Sequence, residues 1–122
     1  AKGSGVIVTI SSWAAQQGSG NPKLVAYAAS KAALTAATKT VARAYAREGV
    51  LAYCIAPGAV ATDMTRLAAG DQGGIERVEA ALAMGEMVSP EEVAELVAML
   101  ASGQHRHLSG ATLDVNGATY VR

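Results

Sequence analysis

The sequence predicts an α/β domain built on a parallel sheet. Three observations carry that expectation. Gly5–Ser11 and Val50–Ile55 are continuous apolar, β-branched runs, the pattern of strands covered on both faces. Between them, roughly residues 24–48 hold no Gly or Pro and are rich in Ala, which suits a long helix. After the second strand the pattern repeats, with a helix start at Ser89 and a short strand at Ala111–Val115. Strand, helix, strand, helix, strand in this order implies right-handed crossovers and parallel pairing.

Each element has its own punctuation. Gly18, Ser19, Gly20, Asn21 and Pro22 make a loop of 16–23. Gly49 stops the long helix, with Arg43 and Arg47 near its negative end. Ala56-Pro57-Gly58-Ala59 breaks the second strand. Ser89-Pro90-Glu91-Glu92 reads as an N-cap, a proline at the first helical position and a capping-box acid. Val93, Leu96, Val97 and Leu100 give that helix an apolar face, and Gly103 ends it. Residues 62–88 carry Gly70, Gly73, Gly74 and Gly85 around a short amphipathic stretch and read as a mobile flap.

Composition narrows the functional classes. With 51% hydrophobic and 16% charged residues, 122 residues suffice for one small core and exclude a disordered chain. Ten bases balance ten acids, so no global positive field favours nucleic acid. The charge is nonetheless polarised, with six bases and no acid in 1–47. A solvated face accounts for that as well as an anionic ligand does. Cys54 is the one cysteine, so no intrachain disulfide can form; it reads as a small core residue. No apolar run of spanning length and no leader pattern is present, which points to a cytoplasmic protein without a membrane partner. His105 and His107 lack further ligand-type neighbours, and no metal site is expected. The opening Ala1-Lys2-Gly3-Ser4-Gly5 is turn-like, and the chain is expected to begin inside a larger fold.

Three sets of residues could carry chemistry. Tyr27 and Lys31 are four apart on the long helix, so both can face one site. A nearby cation stabilises phenolate, and such a pair can exchange a proton with a substrate oxygen. Ser11-Ser12 ends the first strand, and Pro57-Gly58 with Thr62 follows the end of the second. In open parallel sheets ligands bind beyond these carboxyl ends. Taken singly, each set is an ordinary helical pair, a polar strand end or a turn.

Together, and in this order, they resemble the C-terminal half of a short-chain dehydrogenase/reductase. The matching stretches are 5–12, Tyr27-Ala28-Ala29-Ser30-Lys31-Ala32-Ala33-Leu34, 55–64, 89–94 and 108–117. The resemblance is to classical members of the 3-oxoacyl-acyl-carrier-protein reductase kind. It implies the C-terminal part of a Rossmann-like doubly wound sheet, about three strands with flanking helices, as a single partial domain over 1–122. The first half of that fold, with its Gly-rich fingerprint, is absent from these residues.

By the same resemblance Tyr27 would be the acid/base, and Lys31 would favour its phenolate and hold the ribose hydroxyls of NAD or NADP. Ser12, rather than Ser11, would polarise the carbonyl. Pro57, Gly58 and Val60 would wall the nicotinamide, and Thr62 would bond its carboxamide or the pyrophosphate. Trp13, Leu24 and the 62–88 flap would shape a pocket for a small carbonyl or alcohol substrate. The alanine-rich 24–48 helix would pack across a homo-oligomer interface. Two departures stand out: the Ser12–Tyr27 gap is two residues longer than usual, and Tyr53 stands where Asn is common. The implied activity is hydride transfer between NAD(P) and a ketone or secondary alcohol, with the isolated chain inactive. A non-catalytic, self-associating α/β module is the alternative.

Overall fold

A computed structural model of the chain describes residues 4–70 and 73–122. Three parallel strands form one sheet in the order β1 (Gly5–Ile10), β2 (Val50–Pro57), β3 (Thr112–Val115). Gly5 aligns with Val50 and Ile10 with Ile55, while Cys54 aligns with Thr112 and Pro57 with Val115. All three strands therefore end at the same edge. Helices α1 (Ala14–Gln17), α2 (Val25–Ala44), α3 (Asp63–Ala69), α4 (Ile75–Ala80) and α5 (Pro90–Ala101) accompany the strands, with 3-10 turns at Pro22–Leu24, Ala46–Glu48 and Arg106–Leu108.

The two faces of β2 are built differently. Tyr53 and Ile55 point toward α5 and close around Leu100, with Val6, Val8, Val93, Leu96 and Val97 beside them. The Tyr53 hydroxyl, on a fully buried residue, donates to the His105 carbonyl at 2.6 Å. That bond lets a tyrosine occupy this interior position without an orphaned polar group. The opposite face presents Ala52, Cys54 and Ala56, small enough for α2 to lie close. The buried stripe of α2 is Thr35, Thr38 and Ala42. Its seam with β1 is made of hydroxyls: Ser11 Oγ pairs with Thr35 Oγ1 at 2.6 Å, and Thr38 Oγ1 donates to Thr9 Oγ1 at 3.0 Å.

The structure departs from the sequence reading in four places. β1, the edge strand of the described sheet, is not covered on both faces: Ile7 is 45% and Ile10 40% exposed. Its odd residues bond to β2, as Gly5 N–H to Gly49 O and Ser11 N–H to Ile55 O show, so the even residues turn their amides outward. The long helix ends at Ala44, and Ala46–Glu48 tightens into a 3-10 turn before Gly49 at φ 79°. β2 runs on to Pro57, whose missing N–H costs little at a strand's last residue. α1 takes in Gln16 and Gln17 at the start of the expected 16–23 loop, and α3 (Asp63–Ala69) is a helix the sequence did not signal within the 62–88 segment. α3 is started by Thr62, whose side chain accepts from the Thr65 N–H at 3.2 Å.

The capping box predicted at Ser89 is present in full. The base of the 62–88 segment is pinned by a parallel bridge between Val60 and Val88. Arg122 donates to the Asp114 carboxylate and, at 3.0 Å, to Gln16 Oε1, tying residue 122 to α1. The Asp114 hydrogen bond, against a smaller desolvation effect, holds the guanidinium charge more firmly than usual.

Ala118 sits at φ 62°, in the left-handed region that disfavours a Cβ. Ala118→Gly is expected to raise stability by about 1 kcal/mol in urea unfolding. A loss of stability would show that Ala118 is held by contacts that outweigh its backbone strain.

Candidate active site

The site is assembled by strand ends and one helix. β1 leads into Ser11 and Ser12, and these two serines part company. Ser11 is buried, and its hydroxyl is committed to Thr35 and, at 3.4 Å, to the Lys31 carbonyl. Ser12 Oγ accepts from the Ala14 N–H at 3.1 Å, which orients the hydroxyl and leaves its proton unspent. Ser12 lines a cavity of about 390 Å³ together with Trp13, Gln17, Leu24, Tyr27 and Gly58. The backbone of Gly18–Gly20 closes its rim.

Tyr27 enters this cavity from the first turn of α2 and is 40% exposed. Among the described residues its hydroxyl has no hydrogen-bond partner. Lys31, one turn on, holds its ammonium 5.8 Å from the Tyr27 ring centroid. That is within range of a cation–π attraction. The same ammonium donates to the Ile10 carbonyl at 2.9 Å. Ile10 is an even residue of β1, so this is an outward carbonyl of the open edge.

Pro57 and Gly58 are fixed by backbone bonds. The Trp13 N–H donates to Pro57 O at 3.0 Å, and the Gly58 N–H donates to Val115 O at 2.9 Å. A methyl carbon on Gly58 would lie 2.8 Å from Asn116 Cβ and 2.9 Å from Trp13 Cε3. The space over this glycine is thus filled by the Trp13 indole and Asn116. Val60 and Thr62 stand farther along, at the base of the flap. Neither lines the cavity, and the Thr62 hydroxyl caps α3 and meets Thr65 Oγ1 at 3.0 Å.

Ser12, Tyr27 and Gly58 are therefore brought to one cavity, with Lys31 behind Tyr27. Pro57, Val60 and Thr62 lie on the same edge but outside the lining. Met84, Met87 and Val88 line a separate hollow of about 550 Å³ with Asp114, Tyr120 and Arg122. Gln17 and the Gly18–Gly20 backbone were not anticipated as cavity wall. The signal for them was the longer Ser12–Tyr27 interval, which spans this rim. Among the described residues no group of three His, Cys, Asp or Glu could hold a metal. No helix there is long and apolar enough to cross a membrane.

A three-stranded parallel sheet with flanking helices and its strand ends gathered at one edge is part of a Rossmann-like fold. The family whose model is described as Enoyl-(Acyl carrier protein) reductase matches residues 1–118. The chain belongs to this short-chain dehydrogenase/reductase family of oxidoreductases. It is 39% identical over 119 residues to the 3-oxoacyl-[acyl-carrier-protein] reductase FabG of Escherichia coli, covering 96% of this chain and 46% of that protein. It is 34% identical over 117 residues to human (3R)-3-hydroxyacyl-CoA dehydrogenase, covering 96% and 43%. A crystal structure of a Thermus thermophilus protein superposes with a TM-score of 0.86 at 29% identity, covering 96% and 49%. An actinorhodin polyketide ketoreductase variant with NADPH superposes at 0.85 and 30% identity, covering 97% and 48%. The chain thus spans about half the length of the relatives it matches.

The contact over Gly58 gives a test of this packing. Gly58→Ala is expected to cost about 1–3 kcal/mol, because neither Asn116 Cβ nor the indole can yield easily. Trp13 is the sole tryptophan, so its emission should shift to the red as the ring is displaced. Unchanged stability and emission would mean that the indole does not rest on Gly58 in solution.

Proposed function

We propose that this chain carries the Ser-Tyr-Lys catalytic half of an NAD(P)-dependent oxidoreductase that interconverts a ketone and a secondary alcohol. The observation that carries the reading is the shared cavity of Ser12 and Tyr27, with the Lys31 ammonium held over the Tyr27 ring. The unspent Ser12 proton is free to donate to a carbonyl oxygen as that oxygen gains charge. Tyr27, unpartnered and open to the cavity, gives its proton to the same oxygen in reduction and takes it back in oxidation. The positive charge of Lys31, 5.8 Å from the ring centroid, would favour a phenolate at Tyr27.

The residues present fit the reactive end of a nicotinamide coenzyme. The Lys31 ammonium can reach ribose hydroxyls by leaving the Ile10 carbonyl. Pro57, Gly58 and Val60 would form a wall along the same sheet edge, of which Gly58 alone lines the cavity, and Thr62 would offer its hydroxyl only on leaving the cap of α3. When bound, NAD or NADP exchanges a hydride with the carbonyl or carbinol carbon. The part of the relatives that this chain does not cover would hold the rest of the coenzyme.

A second reading concerns assembly. Ile7 on the open β1 edge and Val25 on α2, 68% exposed, leave apolar surface uncovered. Such an edge favours pairing with another chain. The 24–48 segment then serves as the contact of a homo-oligomer.

The 122-residue chain alone is expected to show no turnover of NAD(P)H with ketones; measurable turnover would refute its inactivity. Joined to the half of the E. coli relative that it leaves uncovered, the chain is expected to turn over. In that protein Tyr27→Phe should lower kcat by about 10²–10⁴-fold. A folded chimera without turnover, or one indifferent to Tyr27→Phe, would overturn the catalytic reading. For assembly, sedimentation of the chain should show species larger than a monomer, and a monodisperse monomer would refute the oligomer.

A further inference from the structure

Of the two threonines in the α2 seam, one is joined to Lys31. Thr35 Oγ1 donates to the Lys31 carbonyl at 2.9 Å and lies 2.6 Å from Ser11 Oγ. A threonine hydroxyl has one proton. With that proton on the Lys31 carbonyl, Ser11 is the donor of the pair and Thr35 Oγ1 the acceptor. The bonds therefore run from Ser11 to Thr35 to Lys31, and Ser11 Oγ approaches the same carbonyl at 3.4 Å. Both residues are shut away from solvent, Ser11 at 3% and Thr35 at 5% exposure. Thr38, nearly one turn on, makes the same kind of contact with Thr9. Its second acceptor is the Leu34 carbonyl, so it has no bond to Lys31.

Lys31 is thus held on β1 at two points. Its carbonyl is tied through Thr35 to Ser11, and its ammonium donates to the Ile10 carbonyl at 2.9 Å. The two anchors are consecutive residues, and the next one, Ser12, lines the cavity. The ammonium bond lies at an exposed site. Ordering a long lysine side chain there offsets much of what one such bond returns. The bond persists when the side chain starts from a fixed place at the right distance, because less freedom is then lost. The buried Ser11–Thr35 pair supplies that fixed place. The same placement keeps the ammonium 5.8 Å from the Tyr27 ring centroid.

We propose that Thr35 is a positioning residue for Lys31, and that its hydroxyl, bridging Ser11 and the Lys31 carbonyl, sets where the ammonium sits. Thr35 acts through Lys31 and does not line the cavity. The consequence for turnover rests on the catalytic reading above, and the effect on the ammonium does not. Valine has nearly the shape of threonine and no hydroxyl, so Thr35→Val cuts the bridge and keeps the bulk.

The chain alone gives the first readout. Limiting acetic anhydride followed by peptide mass spectrometry compares acetylation of Lys31 with that of exposed Lys39 in the same molecule. Thr35→Val is expected to raise the Lys31-to-Lys39 ratio about fivefold as the hydrogen-bonded ammonium is released. Thr35→Ser keeps the hydroxyl and should restore the ratio. Ser11→Ala cuts the bridge from the strand side and should match Thr35→Val, which decides the matter if the valine variant does not fold. Thr38→Val loses a seam hydroxyl that does not reach Lys31 and should leave the ratio unchanged. The second readout is the chimera with the E. coli half, given NADPH and ethyl acetoacetate. There Thr35→Val should raise the KM for NADPH about fivefold and leave that for the ester unchanged, whereas a loss of folded protein lowers kcat alone. An unchanged acetylation ratio in Thr35→Val or Ser11→Ala, a serine variant that fails to restore it, or an equal rise in Thr38→Val would overturn the proposal. So would an active chimera whose NADPH KM ignores Thr35→Val. The expected ratios in a chain whose chimera never turns over would support Thr35 as the anchor of Lys31 and refute the catalytic reading alone.

Discussion

Strand β2 is the constraint on which the rest of this molecule depends. Its residues from Ala52 to Pro57 are buried, and among the described strands it alone pairs on both sides. Parallel pairing in one register brings Ser11, Pro57 and Val115 to the same edge. The chemistry follows because the two chain exits, Ser12 after β1 and Gly58 after β2, emerge side by side. The backbone bond from Trp13 N–H to Pro57 O fixes the two exits to one another.

The second determinant is the seam between α2 and the sheet. A helix with an apolar buried stripe would need only burial to stay in place. This one is seated by Thr35 and Thr38 against Ser11 and Thr9, and hydroxyl pairs have directions. Thr35 also donates to the Lys31 carbonyl at 2.9 Å. The backbone that carries Lys31 is thereby referenced to Ser11, the neighbour of Ser12. Rotating α2 to another face would break these bonds and take Tyr27 out of the cavity. The polar seam sets the helical phase, and the phase decides what Tyr27 and Lys31 face.

Much of this was legible from residue patterns, and the failures are as physical as the successes. Ser89-Pro90-Glu91-Glu92 specifies a helix start locally, so that start was legible to the residue. The apolar run of β1 fixes a strand but not its neighbours. Coverage of Ile7 is a property of whatever lies beside it, and a strand of this composition reads the same at an edge as in the middle. α3 was obscured because the segment it opens carries Gly70, Gly73 and Gly74 close behind it and its cap, Thr62, has a second threonine three residues on. Capping by Thr62 is visible only once Thr65 is known to lie one turn away. At the site, the spacing of Tyr27 and Lys31 announces a shared helical face. It says nothing of the Ile10 carbonyl that engages Lys31, because that partner is a backbone atom whose direction depends on strand parity.

Gly58 shows most clearly why sequence alone stops short. A glycine after a strand-ending proline reads as room for a ligand, and the room is real. In this structure a side chain from the same protein takes it. Trp13 and Asn116 converge on the one position in that turn without a Cβ. A smaller residue at 13 would leave the glycine facing open space, and a larger residue at 58 would expel the indole. Each identity is thus conditional on the other across 45 positions of sequence. The cavity beside Ser12 and Tyr27 takes its shape from that pair, and a reading that treats each residue by its own neighbours cannot recover it.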